Sequence, residues 1–208
     1  MYSPKFTVSN KILKLIGRVE AAKEVIENAP LVPAYEAKFR QEAIIRTVHH
    51  GTHIEGNPLD SGEVAAVLEG EDVKARDRDV QEVLNYREVL KYIDKKGKRD
   101  IGEHDLLTIH KLTVDKVMPA ATAGTYRLNQ VVVKNSKTGE ISFKPPEAST
   151  VKSLVLDFLK WLNSDNAEDV HPVLKAGIVH YVLAFIQDRK STRLNSSHSR
   201  ASRMPSSA

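Results

Sequence analysis

AGTYRLNQVVVKNSKTGEISFKPP, residues 123–146, is the stretch whose reading decides the fold. Tyr126–Val133 and Glu140–Phe143 favour β structure, the residues between them are rich in turn formers, and Pro145-Pro146 closes the unit. The pattern predicts a single hairpin. Because an isolated two-stranded hairpin is only marginally stable in water, this one is expected to lean on helices and to serve a partner.

On both sides of it, apolar residues recur at helical steps. Downstream, Val151, Leu154, Val155, Phe158, Leu159 and Leu162 predict one helix. His171-Pro172 opens the last, which runs through Ile178, Tyr181, Val182 and Phe185 with proline in its first turn. Upstream, Leu106, Ile109, Leu112 and Val117 mark a helix, and Val80, Val83, Leu84, Leu90 and Ile93 mark another before the charged turn Lys95–Arg99. Asp60 and Glu63 have the spacing of a capping box, which opens a short helix through Val64, Val67 and Leu68. Before it, Tyr35, Phe39, Ile45 and Val48 are expected to face inward from a helix that Gly56 and Pro58 stop. The first helix carries Ile12, Leu15, Ile16, Val19, Ala22 and Ile26, with Ser9 as its N-cap and Pro30 and Pro33 breaking the pattern. The fold class is therefore mainly α with one hairpin.

Composition narrows the function classes. The chain has 208 residues, 41% apolar and 28% charged, as in an average soluble globular protein. It has no cysteine, which excludes disulfides and thiolate metal sites. Residues 1–10 lack the basic start and apolar run of a secretory signal, and the longest apolar stretch, Tyr181–Ile186, is too short to span a bilayer. A cytoplasmic protein without membrane contact is expected. The net charge of +4 lies entirely in residues 188–208, where five basic residues face Asp188; residues 1–187 balance 26 basic against 26 acidic. A nucleic-acid partner is therefore not expected of the body. Residues 188–208 hold seven serines and no periodic apolar pattern, so disorder is expected there.

Four segments carry a resemblance, in this order. They are His53-Ile54-Glu55-Gly56-Asn57-Pro58-Leu59; Ala123-Gly124-Thr125-Tyr126-Arg127 followed by Val131 and Val133; Phe143-Lys144-Pro145-Pro146 with Trp161-Leu162-Asn163; and His171-Pro172-Val173-Leu174-Lys175-Ala176 with His180-Tyr181. Together they resemble the Fic (Fic/Doc, or Fido) family of protein adenylyltransferases. That resemblance implies a Fic-type helical bundle whose hairpin is the flap, incomplete at the C-terminal end. It divides the chain into an N-terminal helical segment with an inhibitory helix (1–100), a partial Fic domain (101–187) and a tail (188–208).

In that family the helix that opens at His171 leads into His-Pro-Phe-x-x-Gly-Asn-Gly-Arg. Here Phe185-Ile186 is followed by Gln187-Asp188-Arg189-Lys190, and the motif occurs nowhere in the chain. Gln187 stands where the catalytic histidine is expected. Asp188–His198 resembles one reading frame of a common sequencing-library adapter, so the chain is read as cut before its catalytic loop and ending in residues foreign to the fold.

The chemistry implied by the resemblance is transfer of AMP from ATP to a Ser, Thr or Tyr hydroxyl of a target protein. It needs a base that titrates near neutrality, backbone N–H groups that cradle phosphate, and an arginine with Mg²⁺ to neutralise charge. ATP and Mg²⁺ are thus cofactors of the intact family, the missing motif supplies all three protein elements, and this chain is expected to be inactive. UMP transfer, phosphocholination and phosphorylation stay open as related chemistries.

Among the residues present, the resemblance gives Glu55, with Gly56 and Asn57, the inhibitory role. Glu55 would pair with a catalytic-loop arginine where the ATP γ-phosphate belongs. The family favours Ser or Thr four residues earlier. Gly51 stands there, with Thr52 one place on, so a frayed helix and weaker inhibition are expected. From spacing alone, Glu55-Gly56-Asn57 reads equally as an ordinary helix end. Val131, Val132, Val133, Ile141 and Phe143 are the candidate target-binding flap, with Phe143 or Val132 clamping a target side chain through strand addition.

Arg127 is read as structural, tying the flap base to the helices, His171 and His180 as serving helix start and packing, and Trp161 as core. His49 and His53 lie four apart, but no third ligand is evident and no metal site is assigned. A homo-oligomer is left open. The rival function is a non-enzymatic regulatory, antitoxin-like or target-binding module. A DNA-binding reading rests only on the charge of the tail.

Overall fold

The structure is a computed structural model that describes residues 2–29, 32–135 and 138–187. Pro30 and the tail expected to be disordered therefore lie outside the described residues. The elements run α1 (Asn10–Glu27), α2 (Pro33–Ile54), α3 (Ser61–Glu69), α4 (Asp77–Lys96), α5 (Glu103–Val114), β1 (Val133–Lys134), β2 (Ile141–Phe143), α6 (Val151–Leu162), α7 (Asp165–Glu168) and α8 (Pro172–Gln187). The mainly helical class with one hairpin holds.

Local chemistry sets several of the boundaries. The Ser9 hydroxyl accepts from Ile12 N–H at 3.3 Å to start α1. Asp60 accepts from Gly62 and Glu63 N–H while Glu63 accepts from Asp60 N–H, the predicted capping box of α3. The hairpin is shorter than the sequence suggests. Its register pairs Val133 with Phe143 and Lys134 with Ile141, and an irregularity between Val133 and Lys134 breaks the ladder. The β-favouring run Tyr126–Val132 forms no strand and bends at Asn129, because propensity alone cannot supply ladder bonds.

Among the described residues, two clusters form the core. Val48, Leu59, Val64, Val67 and Val83 pack where α2, α3 and α4 meet. Val151, Val155, Phe158, Leu159, Trp161, Ala167, Val182 and Ile186 pack between α6 and α8, joined by Leu106 of α5, Tyr126 and Tyr2. Tyr2 meets Phe158 and Trp161 edge-on, at ring separations of 5.4 and 5.7 Å. Trp161 is core, as expected.

Polar contacts join the clusters. Asp105 on α5 accepts from Tyr92 Oη at 2.6 Å and from Gly102 N–H at 2.7 Å, and its carboxylate lies 2.8 Å from Lys96 Nζ. Led by the bond to Lys96, these contacts hold the Asp105 carboxyl far below the usual carboxylate range. Asn85 of α4 donates to the carbonyls of Thr113 and Asp115 at the end of α5. Asn163, just past α6, exchanges two hydrogen bonds with the Ile101 backbone, at 2.9 and 3.1 Å.

Some expected packing is absent. No residue of α1 is buried, and Tyr35 and Phe39 of α2 are 61% and 53% exposed rather than inward. Periodicity predicts a helix from its own sequence, whereas burial needs a facing surface. The apolar partners of α2 begin only at Ile45, where α3 and α4 cross it. His180 is exposed rather than buried in the packing expected of it. His171 does serve the start of α8, its Nδ1 accepting from Val173 N–H at 3.3 Å, and its Nε2 lies 3.0 Å from Glu20 Oε1.

Candidate functional site

The end of α2 is built by its backbone. Gly56 N–H donates to His53 O at 2.9 Å and Asn57 N–H to Thr52 O at 3.1 Å, with Gly56 at φ 88°. This is a Schellman closure, which needs a left-handed residue and therefore favours glycine. Glu55 is the C-cap, at φ −82° and ψ 3°. The helix runs unbroken through Gly51 to Ile54, so the predicted fraying does not occur. Thr52, one place past the family's Ser/Thr position, turns its hydroxyl back to Val48 O at 2.9 Å and stays buried.

Glu55 is half-buried and lines a cavity of about 320 Å³ between α2 and α4, shared with Gly51, Thr52, Glu82 and Tyr86. A nucleotide triphosphate does not fit these residues. The lining holds two carboxylates and no lysine or arginine, and an uncompensated anion beside them is repelled. Among the described residues, no group of three or more histidines and carboxylates could hold a metal ion. The His49 and His53 rings lie 5.5 Å apart, His49 half-buried and His53 exposed.

Asn57, grouped with Glu55 by the resemblance, has a structural task. It is 2% exposed. Its amide donates to Asp79 O at 2.9 Å and to Glu82 Oε2 at 3.2 Å, and its carbonyl accepts from Leu59 N–H at 3.2 Å. Asp79, itself buried, takes a two-pronged contact from Arg76 at 2.6 and 2.9 Å. The segment after Glu55 is thereby pinned to the first turn of α4. The sequence offered only a weak signal for this, an asparagine two residues past the helix end.

The flap forms a second cluster. Arg127 donates to the carbonyls of Pro146 and Asn129, and burial lowers its pKa. It joins the two arms of the hairpin at their base, where the sequence reading had it reach the helices. Gln130 donates to Pro145 O at 3.0 Å and adds a second tie. Burial and the neighbouring Glu103 carboxylate push the Tyr126 phenol up to about 12. Of the candidate flap residues, Val131 and Val132 are half-buried, Val133 pairs with Phe143, and Ile141 is exposed. Phe143 meets Phe185 of α8 at a ring separation of 5.5 Å, and Phe185 stacks on Tyr181. The flap thus rests on α8 two residues before Gln187, the last residue of that helix. Glu55, in contrast, sits in the cavity of α2 and α4.

A helical body with one short flap seated on its last helix defines a Fic-type fold. No family model matches the chain. It is similar to proteins named protein adenylyltransferase Fic from Drosophila sechellia and Drosophila melanogaster, at 32% identity over 154 residues, or 72% of this chain and 30% of each of those proteins. It is also similar to a solved Fic family protein from Desulfovibrio desulfuricans G20, with 26% identity and a TM-score of 0.71 over 93% of this chain and 57% of that one. Fic-1 from C. elegans shares the fold, with a TM-score of 0.66 at 21% identity over 89% of this chain and 56% of that one. The chain belongs to the Fic (Fido-domain) family. It spans less than a third of the length of the curated relatives it matches. Among the described residues, no helix is long and apolar enough to cross a membrane.

Proposed function

We propose that this chain is the regulatory and target-holding part of a Fic protein that transfers AMP from ATP to a hydroxyl of a target protein. In this reading Glu55 is the inhibitory carboxylate and the flap is the target-binding edge. The observation that carries it is the placement of Glu55 at a rigid helix end. Schellman bonds and the Asn57 anchor fix that end, and Glu55 is half-buried along a cavity. A bidentate carboxylate–guanidinium contact needs this kind of fixed direction. Val131–Val133 and Ile141–Phe143 form the flap, and Phe143 is the stronger clamp because Phe185 supports its ring. A cysteine-free composition suits the cytoplasm. ATP and Mg²⁺ belong to the residues of the absent motif, which also supplies the base.

The 208-residue chain itself does no transfer, since it lacks both the proton acceptor and the phosphate cradle. Incubated with α-labelled ATP, Mg²⁺ and a protein mixture, it is expected to leave no label on protein. Robust labelling would overturn the view that the motif is essential. The acidic lining of the Glu55 cavity favours a second reading for the chain as it stands, a target-binding module without catalysis.

A further inference from the structure

Gly51 lies inside α2, one turn before Glu55. Glycine inside a helix weakens it by about fivefold relative to alanine, so its presence calls for a local reason. The neighbouring helix supplies one. A Cβ at position 51 would overlap Cε2, Cζ and Oη of Tyr86 on α4. The phenol end of Tyr86 therefore lies directly on the bare Cα of Gly51, in space that a side chain would fill.

Residues four apart share a helix face, so the surface Tyr86 covers is the one that continues to Glu55. Tyr86, Gly51 and Glu55 line the same cavity, with Thr52, Glu82 and Thr113 adding to its polar wall. Tyr86 also packs against the core cluster of Val48, Leu59, Val64, Val67 and Val83.

We infer that Tyr86 is a positioning residue for Glu55: its ring, seated on Gly51, walls the cavity that Glu55 lines and sets the direction of that carboxylate. As a regulatory role this rests on Glu55 being the inhibitory residue, but the contact itself can be read without any activity. In this chain the ring of Tyr86 stands where the family's Ser/Thr side chain would project. That side chain and this ring exclude each other.

The experiment is a mutant cycle on the 208-residue chain with two readouts. In urea unfolding, Gly51→Ala lowers the folding constant at least about tenfold, the cost of overpacking. In a Tyr86→Leu background, which keeps apolar bulk, the same change is neutral or raises the constant up to about fivefold. In carboxylate-detected NMR, Tyr86→Leu moves the Glu55 Cδ signal and leaves Glu63 Cδ in place, while Tyr86→Phe keeps the Glu55 signal. If Tyr86→Leu fails to fold, Gly51→Ala alone must still move Glu55 Cδ. Gly51→Ala tolerated equally in both backgrounds, or an unmoved Glu55 signal, overturns the inference. Those results would leave the inhibitory reading of Glu55 standing, since that reading is judged by nucleotide transfer.

Discussion

Replacing Phe158 by alanine is expected to cost about 4 kcal/mol, close to a thousandfold in the unfolding constant. Phe158 is 1% exposed. It lies at the centre of the α6–α8 cluster, stacked on Trp161 at 5.8 Å and met edge-on by Tyr2. Truncation removes the ring's transfer energy and leaves a cavity that Trp161, held by its own neighbours, cannot fill. The loss also travels, because α8 carries Phe185, on which the flap residue Phe143 rests. The check is urea unfolding followed by tryptophan fluorescence, which reports on Trp161, the single tryptophan of the chain. Leu154→Ala on the same helix, at 37% exposure, should cost under about 1 kcal/mol. Equal losses at both positions would mean that the cluster is not the core of this half.

Asn57→Ala is expected to cost about 3 kcal/mol through a different mechanism. The Asn57 side chain satisfies Asp79 O, Glu82 and Leu59 N–H in a buried setting. Removing it orphans Leu59 N–H and takes a second donor from Asp79 O and from Glu82; one orphaned buried group alone costs roughly 1–3 kcal/mol. Asn57→Asp keeps the acceptor for Leu59 but sets a carboxylate against Asp79 O and Glu82, so it should be no better tolerated. Amide hydrogen exchange across residues 52–59 checks this locally. Protection should fall there more than in α6, and uniform loss over both regions would contradict the anchor.

Much of the local structure was legible in the sequence because it depends on near neighbours. Ser9, the Asp60–Glu63 box and Pro172 announced their helix starts through side chains that reach only three residues along the chain. The hairpin was legible as a type and misjudged in length, since pairing depends on a partner strand that composition does not count. Burial was read well where helices cross, as at Val48, Val83 and Phe158, and poorly at Tyr35, Phe39 and the face of α1, where nothing covers a valid periodic pattern. The site divides in the same way. Glu55 and the flap residues were assigned by motif, and Gly51 was noticed as a departure from it. Tyr86, Asp79 and Glu82 were missed because their contacts to residues 51 and 57 cross 22–35 positions and leave no local mark.

A side chain at 51 would have stiffened α2 by itself. Glycine leaves that task to Tyr86, so the end of α2 is ordered by tertiary contact more than by helix propensity. The turn at Glu55-Gly56 should therefore loosen before the α2–α3–α4 cluster melts, an ordering the exchange experiment on residues 52–59 would also resolve.

The central claim is that Glu55 restrains nucleotide transfer, and incorporation of α-labelled ATP into protein by a longer chain carrying His-Pro-Phe-x-x-Gly-Asn-Gly-Arg measures it most directly. Glu55→Ala in that chain should raise the rate by about 10- to 100-fold, the worth of one charge-assisted bidentate contact. A rate unchanged by the substitution, in a chain shown to be active, would contradict the account.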